Sequence, residues 1–143
     1  MLKPASFAIA LFLMLPASGF AQDKGKQAPE RECPTHGPEY IDQLVELFKK
    51  EPTCRSAVTL FEACEYGASG DVPLGVAVTE KCEGDFLTKL NAGQKRAYDR
   101  EMKVCNRKYR NESGTMYRSF EAFCRTYVAR KYSDAALKRA RPK

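Results

Sequence analysis

The stretch YDREMKVCNRKYRNESGTMYRSFEAFCRTYV, residues 98–128, decides the fold class. Tyr98, Met102, Cys105 and Tyr109 recur at steps of 4, 3 and 4, and Met116, Phe120, Phe123 and Tyr127 repeat the same steps. That spacing places each set on one face of an α-helix. The residues between them, Asn111-Glu112-Ser113-Gly114-Thr115, carry turn and cap chemistry. Two amphipathic helices joined by a tight turn are therefore expected, with the two stripes facing each other as a core. Gly114 suits a positive φ that closes the turn, and Thr115 suits the N-cap of the helix that follows. Tyr98, Tyr109, Tyr117, Tyr127 and Tyr132 lie among basic residues, a mixture that can bind single-stranded nucleic acid. At helical steps they are better read as core packing with their hydroxyls at its edge, so no nucleic-acid partner is expected.

Upstream, residues 38–50 read as a helix with Pro38 in its first turn and Tyr40, Ile41, Leu44, Val45 and Phe48 on one face. Glu51-Pro52 stops it, and Thr53 can cap a second helix whose face is Ala57, Leu60, Phe61 and Cys64. After Gly67-Ala68-Ser69-Gly70, Asp71 is expected to cap a third, with a break near Gly84. Asn91 with Gln94 resembles a capping box opening a fourth helix to about Arg110. The fifth, capped by Thr115, is expected to run from near Met116 to about Tyr132. No alternating strand pattern occurs. The expectation is an all-α, five-helix, disulfide-bonded bundle spanning 38–132, preceded by a flexible arm at 22–37 and followed by a basic, frayed tail at 133–143.

Residues 1–21 read as a removed signal peptide. Lys3 gives a positive start, Phe7 to Leu15 an apolar run, and Gly19-Phe20-Ala21 a cleavage context. The run is short of the roughly 20 residues that span a bilayer, and no cysteine stands where a lipid anchor would attach. The expected destination is the periplasm or beyond. All six cysteines follow the cleavage point, and an even number in a small exported chain reads as three disulfides.

Their pairing can be argued from helix stacking. If the bundle runs up and down with short loops, Cys105 lies 5 residues before the last turn and Cys124 lies 8 after the start of the final helix. The mismatch is about 4.5 Å along the axes, within the reach of a disulfide between tilted helices. Cys33, just before the first helix, should lie beside the end of the antiparallel second helix at Cys64. That leaves Cys54 for Cys82.

No catalytic constellation, cofactor motif or metal-ligand spacing is present: the shortest cysteine gap is Cys54 to Cys64, and His36 is the only histidine. Glu62 and Glu65 read as surface charges. The charge is uneven. Residues 22–94 hold 8 Lys/Arg against 13 Asp/Glu, and residues 95–143 hold 15 against 5. Because the basic residues are interleaved along helices, the favoured reading is a solvated surface that offsets the acidic half in three dimensions. The alternative is peripheral contact with anionic surfaces by a structural or stress-related envelope protein.

Gln94, Cys105, the turn Gly114-Thr115, Cys124 and Arg130 stand at spacings that resemble the LprI-type lysozyme-inhibitor family, and Cys54 with Cys64 resembles its upstream cysteine pair. Ala97 stands where that family carries Trp, and Glu101-Met102 where it carries Arg-Asp. The resemblance implies a helical exported domain that binds another protein of the envelope and inhibits a wall-cleaving enzyme such as lysozyme. It also implies that Ser113, Gly114 and Thr115 form an exposed turn touching that partner. The oligomeric state is left open.

Overall fold

A computed structural model describes residues 31–141. Residues 1–21, which the sequence reading assigns to a signal peptide, and residues 22–30 of the expected arm lie outside the described residues. The chain is all-α: α1 (Ile41–Lys50), α2 (Cys54–Ala63), α3 (Asp71–Glu83), α4 (Ala92–Tyr109) and α5 (Thr115–Ala140), with short 3-10 turns at Pro38–Tyr40 and Leu87–Lys89. Local chemistry accounts for most boundaries. The Thr53 side chain accepts from the Ser56 N–H while the Thr53 N–H donates to the Ser56 hydroxyl, and Asn91 and Gln94 make the same reciprocal pair at the start of α4. Helix α3 ends at Gly84, as expected, and the chain turns through buried Phe86 and Leu90 before α4 begins.

Helices α3 and α5 run parallel through the centre. Ser119 Oγ donates to Asp71 Oδ2 at 2.6 Å, Thr79 and Thr126 hydroxyls lie 3.4 Å apart, and Ser133 Oγ donates to Asp85. Between the first two contacts Gly75 meets Ala122 so closely that a Cβ on Gly75 would sit 2.9 Å from the alanine methyl. The main core lies where α1 and α2 cover α3: Leu44, Phe48, Ala57, Val58, Phe61, Leu74 and Val78 are fully buried. A second cluster, Phe86, Leu90 and Tyr98, sits under α4 and the last turns of α5. Disulfides join Cys33–Cys64, Cys54–Cys82 and Cys105–Cys124, the same pairs that helix stacking selects. Each closes a loop of 19 to 31 residues, worth about 3–4 kcal/mol by restriction of the unfolded chain. Together they are of the same order as the whole net stability of a small domain, about 5–15 kcal/mol.

Five expectations are corrected. The apolar stripe of α5 is not its core face: Met116, Phe120 and Tyr127 are exposed, and Ser119, Ala122, Thr126, Ala129 and Ser133 are buried instead. Small residues win the inner position because α3 approaches too closely for large ones. Helix α5 continues past Tyr132 to Ala140, so most of the tail at 133–143 is helical; buried Ser133 anchored on Asp85 carries the helix onward. Thr115 does not cap. Gly114 occupies the N-cap with φ 113°, no side-chain cap bond is made, and Thr115 is already the first helical residue. Asp71 is likewise inside its helix. Its carboxylate points back to accept from the N–H groups of Tyr66 (2.8 Å) and Gly67 (2.9 Å), so it braces the preceding loop. The described part of the arm, 31–37, is tied down: Arg31 forms a bidentate bond to Glu51 at 2.8 and 2.6 Å, and Tyr66 Oη donates to the Gly37 carbonyl.

Two stability predictions follow from these contacts. Gly75→Ala would ordinarily strengthen a helix interior, but here the added methyl strikes Ala122 and its backbone, and a loss of about 1–3 kcal/mol is expected in chemical denaturation. Thr53→Ala should cost about 1 kcal/mol by breaking a made cap, whereas Thr115→Ala should stay within about 0.5 kcal/mol of the parent; equal losses would contradict the cap assignment.

Candidate functional site

The displaced aromatic stripe of α5 lines a groove of about 600 Å³ between α2, α4 and α5. Phe123 forms its floor. It stacks on core Phe61 at 4.2 Å with planes 5° apart, and Tyr127 lies 6.0 Å from Phe123. Tyr109 from α4 reaches Phe120 at 6.0 Å, and Tyr117 packs against both. These separations fall in the range of favourable ring contacts. The aromatic surface is thus continuous with the core at Phe61 yet open to solvent, with Phe120 38% and Tyr127 40% exposed. The Cys105–Cys124 bond, with Cα atoms 5.7 Å apart, fixes α4 against α5 at this groove.

The two rims differ in charge. Exposed Glu62 on α2 and Glu65 in the loop just after it form one, and Lys108 and Lys131 form the other. Lys131 is paired with Glu101, and Lys108 lies 5.0 Å over the Tyr109 ring. Arg130 sits 5.0 Å over Tyr127 and reaches Glu62 at 3.7 Å, a loose pair in solvent worth little in stability. Burial, followed by the nearby Glu62 carboxylate, raises the Tyr127 hydroxyl above the ordinary tyrosine range.

The sequence-derived turn Ser113-Gly114-Thr115 is fully exposed and leads directly into this aromatic cluster through Tyr117 and Phe120. Glu62 and Glu65 are surface charges, as expected, but they edge the groove. His36 is exposed and lies in the N-terminal segment. No cysteine is free, and no cluster of three or more His, Cys, Asp or Glu able to hold a metal occurs among the described residues. The groove lining offers aromatic faces, carboxylates and ammonium groups, a set suited to recognition. A smaller groove of about 320 Å³ runs along the α3–α5 seam past Val76, Glu83, Arg118 and Arg125; it is the space left beside the small residues at that contact.

Sequence reasoning missed this site because it took the larger stripe of α5 for the buried one. A second stripe was present at steps of 3, 4, 3 and 4: Ser119, Ala122, Thr126, Ala129 and Ser133. Reading small residues as a close-packing face would have released the aromatics to the surface.

Comparisons with protein-family profiles, with curated proteins and with solved structures find no match. The residues that carry the family resemblance have definite places in the fold: Gln94 in the capping box, Cys105 and Cys124 in the disulfide, Gly114 at the positive-φ turn, and Arg130 between Glu62 and Tyr127.

Because Tyr127 is raised partly by Glu62, Glu62→Gln should let that hydroxyl ionise at lower pH, though still above the ordinary range since burial is the larger cause. A raised tyrosine favours the fold below its unfolded pKa and loses that contribution as pH rises through the folded value. Tyrosinate absorbance titrations of the two proteins measure the shift; superimposable curves would mean that Glu62 does not act on the ring.

Proposed function

We propose that this chain is an exported, disulfide-braced helical binding protein of the bacterial envelope, and that the groove between α2, α4 and α5 seats a basic protein partner. The resemblance to lysozyme inhibitors names the class: a wall-cleaving enzyme such as lysozyme. One observation carries the reading. Met116, Phe120 and Tyr127 stand 48%, 38% and 40% exposed along one face of a helix whose other face is fully engaged. Large half-exposed aromatics in a rigid groove are the residue type and setting from which binding hot spots are drawn. The core beneath and the disulfide beside them reduce the ordering that binding must pay for.

The partner's charge follows from the rim. Glu62 and Glu65 come from the acidic half of the chain, and Glu65 makes no ion pair among the described residues. A basic side chain next to an apolar anchor would find a carboxylate there. Lysozymes are usually basic, which fits this rim. Three disulfides are compatible with an oxidising compartment, and no described helix is long and apolar enough to cross a membrane.

The test is clearing of a bacterial suspension by lysozyme. The parent protein at micromolar excess should slow it. The double variant Phe120→Ala/Tyr127→Ala should require at least about tenfold more protein for the same effect, as loss of two interface aromatics implies, with an unchanged helical circular-dichroism spectrum. Undiminished clearing with the parent protein would remove the inhibitor reading. A double variant as potent as the parent would move the site away from the groove.

A further inference from the structure

The outer face of α4 carries a pattern that the groove does not use. Arg96, Arg100, Lys103, Arg107 and Arg110 recur at steps of 4, 3, 4 and 3, and all five are exposed. At 100° per residue they lie opposite Tyr98, Met102, Cys105 and Tyr109, the residues by which α4 is held to the rest of the fold. The row spans about 21 Å of helix. None of the five forms an ion pair among the described residues. The acidic residues of α4 do not interrupt it: Glu101 is turned to Lys131 and Tyr132, and Asp99 lies at the edge. The expected offset by the acidic half is not made here. Of the ion pairs among the described residues, only Arg55–Asp134 and Arg130–Glu62 join the two halves, and neither involves α4.

Like charges at these spacings repel one another and weaken a helix. The Cys105–Cys124 bond and the packing of Tyr98 hold α4 in place despite this, leaving the row available for an external counter-charge. We propose that it is a docking face for the phosphate headgroups of an anionic lipid bilayer, with α4 lying flat along the surface. The row is straight and lies on a convex helix, which suits a plane. Neither tyrosine of α4 stands in the row, so it offers no ring on which a nucleic-acid base could stack. The three disulfides are compatible with an oxidising compartment, where headgroups are an abundant polyanion. The contact is peripheral, since no described helix is apolar and long enough to span. Each Lys or Arg brought to such a surface strengthens binding by a factor of about five.

Co-sedimentation with vesicles tests this, using protein purified after export. Vesicles of equal parts phosphatidylglycerol and phosphatidylcholine should retain it at low salt and release it at about 0.5 M, where the screening length is only a few ångströms. Pure phosphatidylcholine should not retain it. The variant Arg100→Gln/Lys103→Gln/Arg107→Gln should bind the anionic vesicles on the order of a hundredfold more weakly, its helix preserved because Gln is a good helix former. Lys50→Gln/Lys89→Gln/Lys138→Gln removes the same charge from exposed positions off the row and should stay within a few-fold of the parent. The proposal is overturned by absence of anionic-vesicle binding, by equal retention on pure phosphatidylcholine, or by an equal loss in the second variant. It is also overturned in favour of nucleic acid if short duplex DNA displaces the protein from vesicles at equal phosphate.

Discussion

The close approach of α3 and α5 at Gly75 and Ala122 is the constraint from which the rest of the structure follows. A methyl on Gly75 would sit 2.9 Å from the Ala122 methyl, so nothing larger fits without separating the helices. The seam continues in both directions through short polar side chains, Ser119 on Asp71, Thr126 beside Thr79 and Ser133 on Asp85. No buried side-chain polar atom among the described residues lacks a partner. This satisfaction is what makes a polar seam tolerable in the middle of a fold, because an unpaired buried group costs more than a made hydrogen bond gains.

A helix that buries its small residues must turn its large ones elsewhere. Phe123 finds Phe61 on α2, and Tyr132 finds Phe86 and Tyr98. Phe120 and Tyr127 find only part of a cover, and α4, fixed by Cys105–Cys124, closes one side of the space above them. The groove is therefore a direct consequence of the seam. The same arrangement explains the cationic row on α4. That helix contacts the bundle through one face, so the basic residues on its other face are left to solvent.

The residues shared with the lysozyme-inhibitor pattern divide by this logic. Gln94, Gly114, Cys105 and Cys124 set helix starts and the α4–α5 pairing, and so speak for a fold. Arg130 lies beside Glu62 and Tyr127, two residues that line the groove. The absent Trp and Arg-Asp positions, at Ala97 and at Glu101-Met102, fall on α4 near the Tyr98 cluster. There Glu101 accepts from Lys131 and Tyr132.

Features that depend on neighbours a few residues apart are legible in the sequence. Helix starts at Thr53 and Asn91, the stop at Glu51-Pro52, the break at Gly84 and the positive φ of Gly114 are all settled by local backbone and cap chemistry. The disulfide pairs were also within reach, because helix rise and short loops fix which cysteines can meet. Which face of α5 lies inside is set by its packing against α3. Periodicity identifies a stripe, but α5 carries two, and hydrophobicity favours the wrong one. The choice rests on the separation of α3 and α5, a distance set by Gly75, which lies 47 residues from Ala122 along the chain. The same holds for Asp71, whose cap-like sequence position gave no sign that its carboxylate would be buried against Ser119.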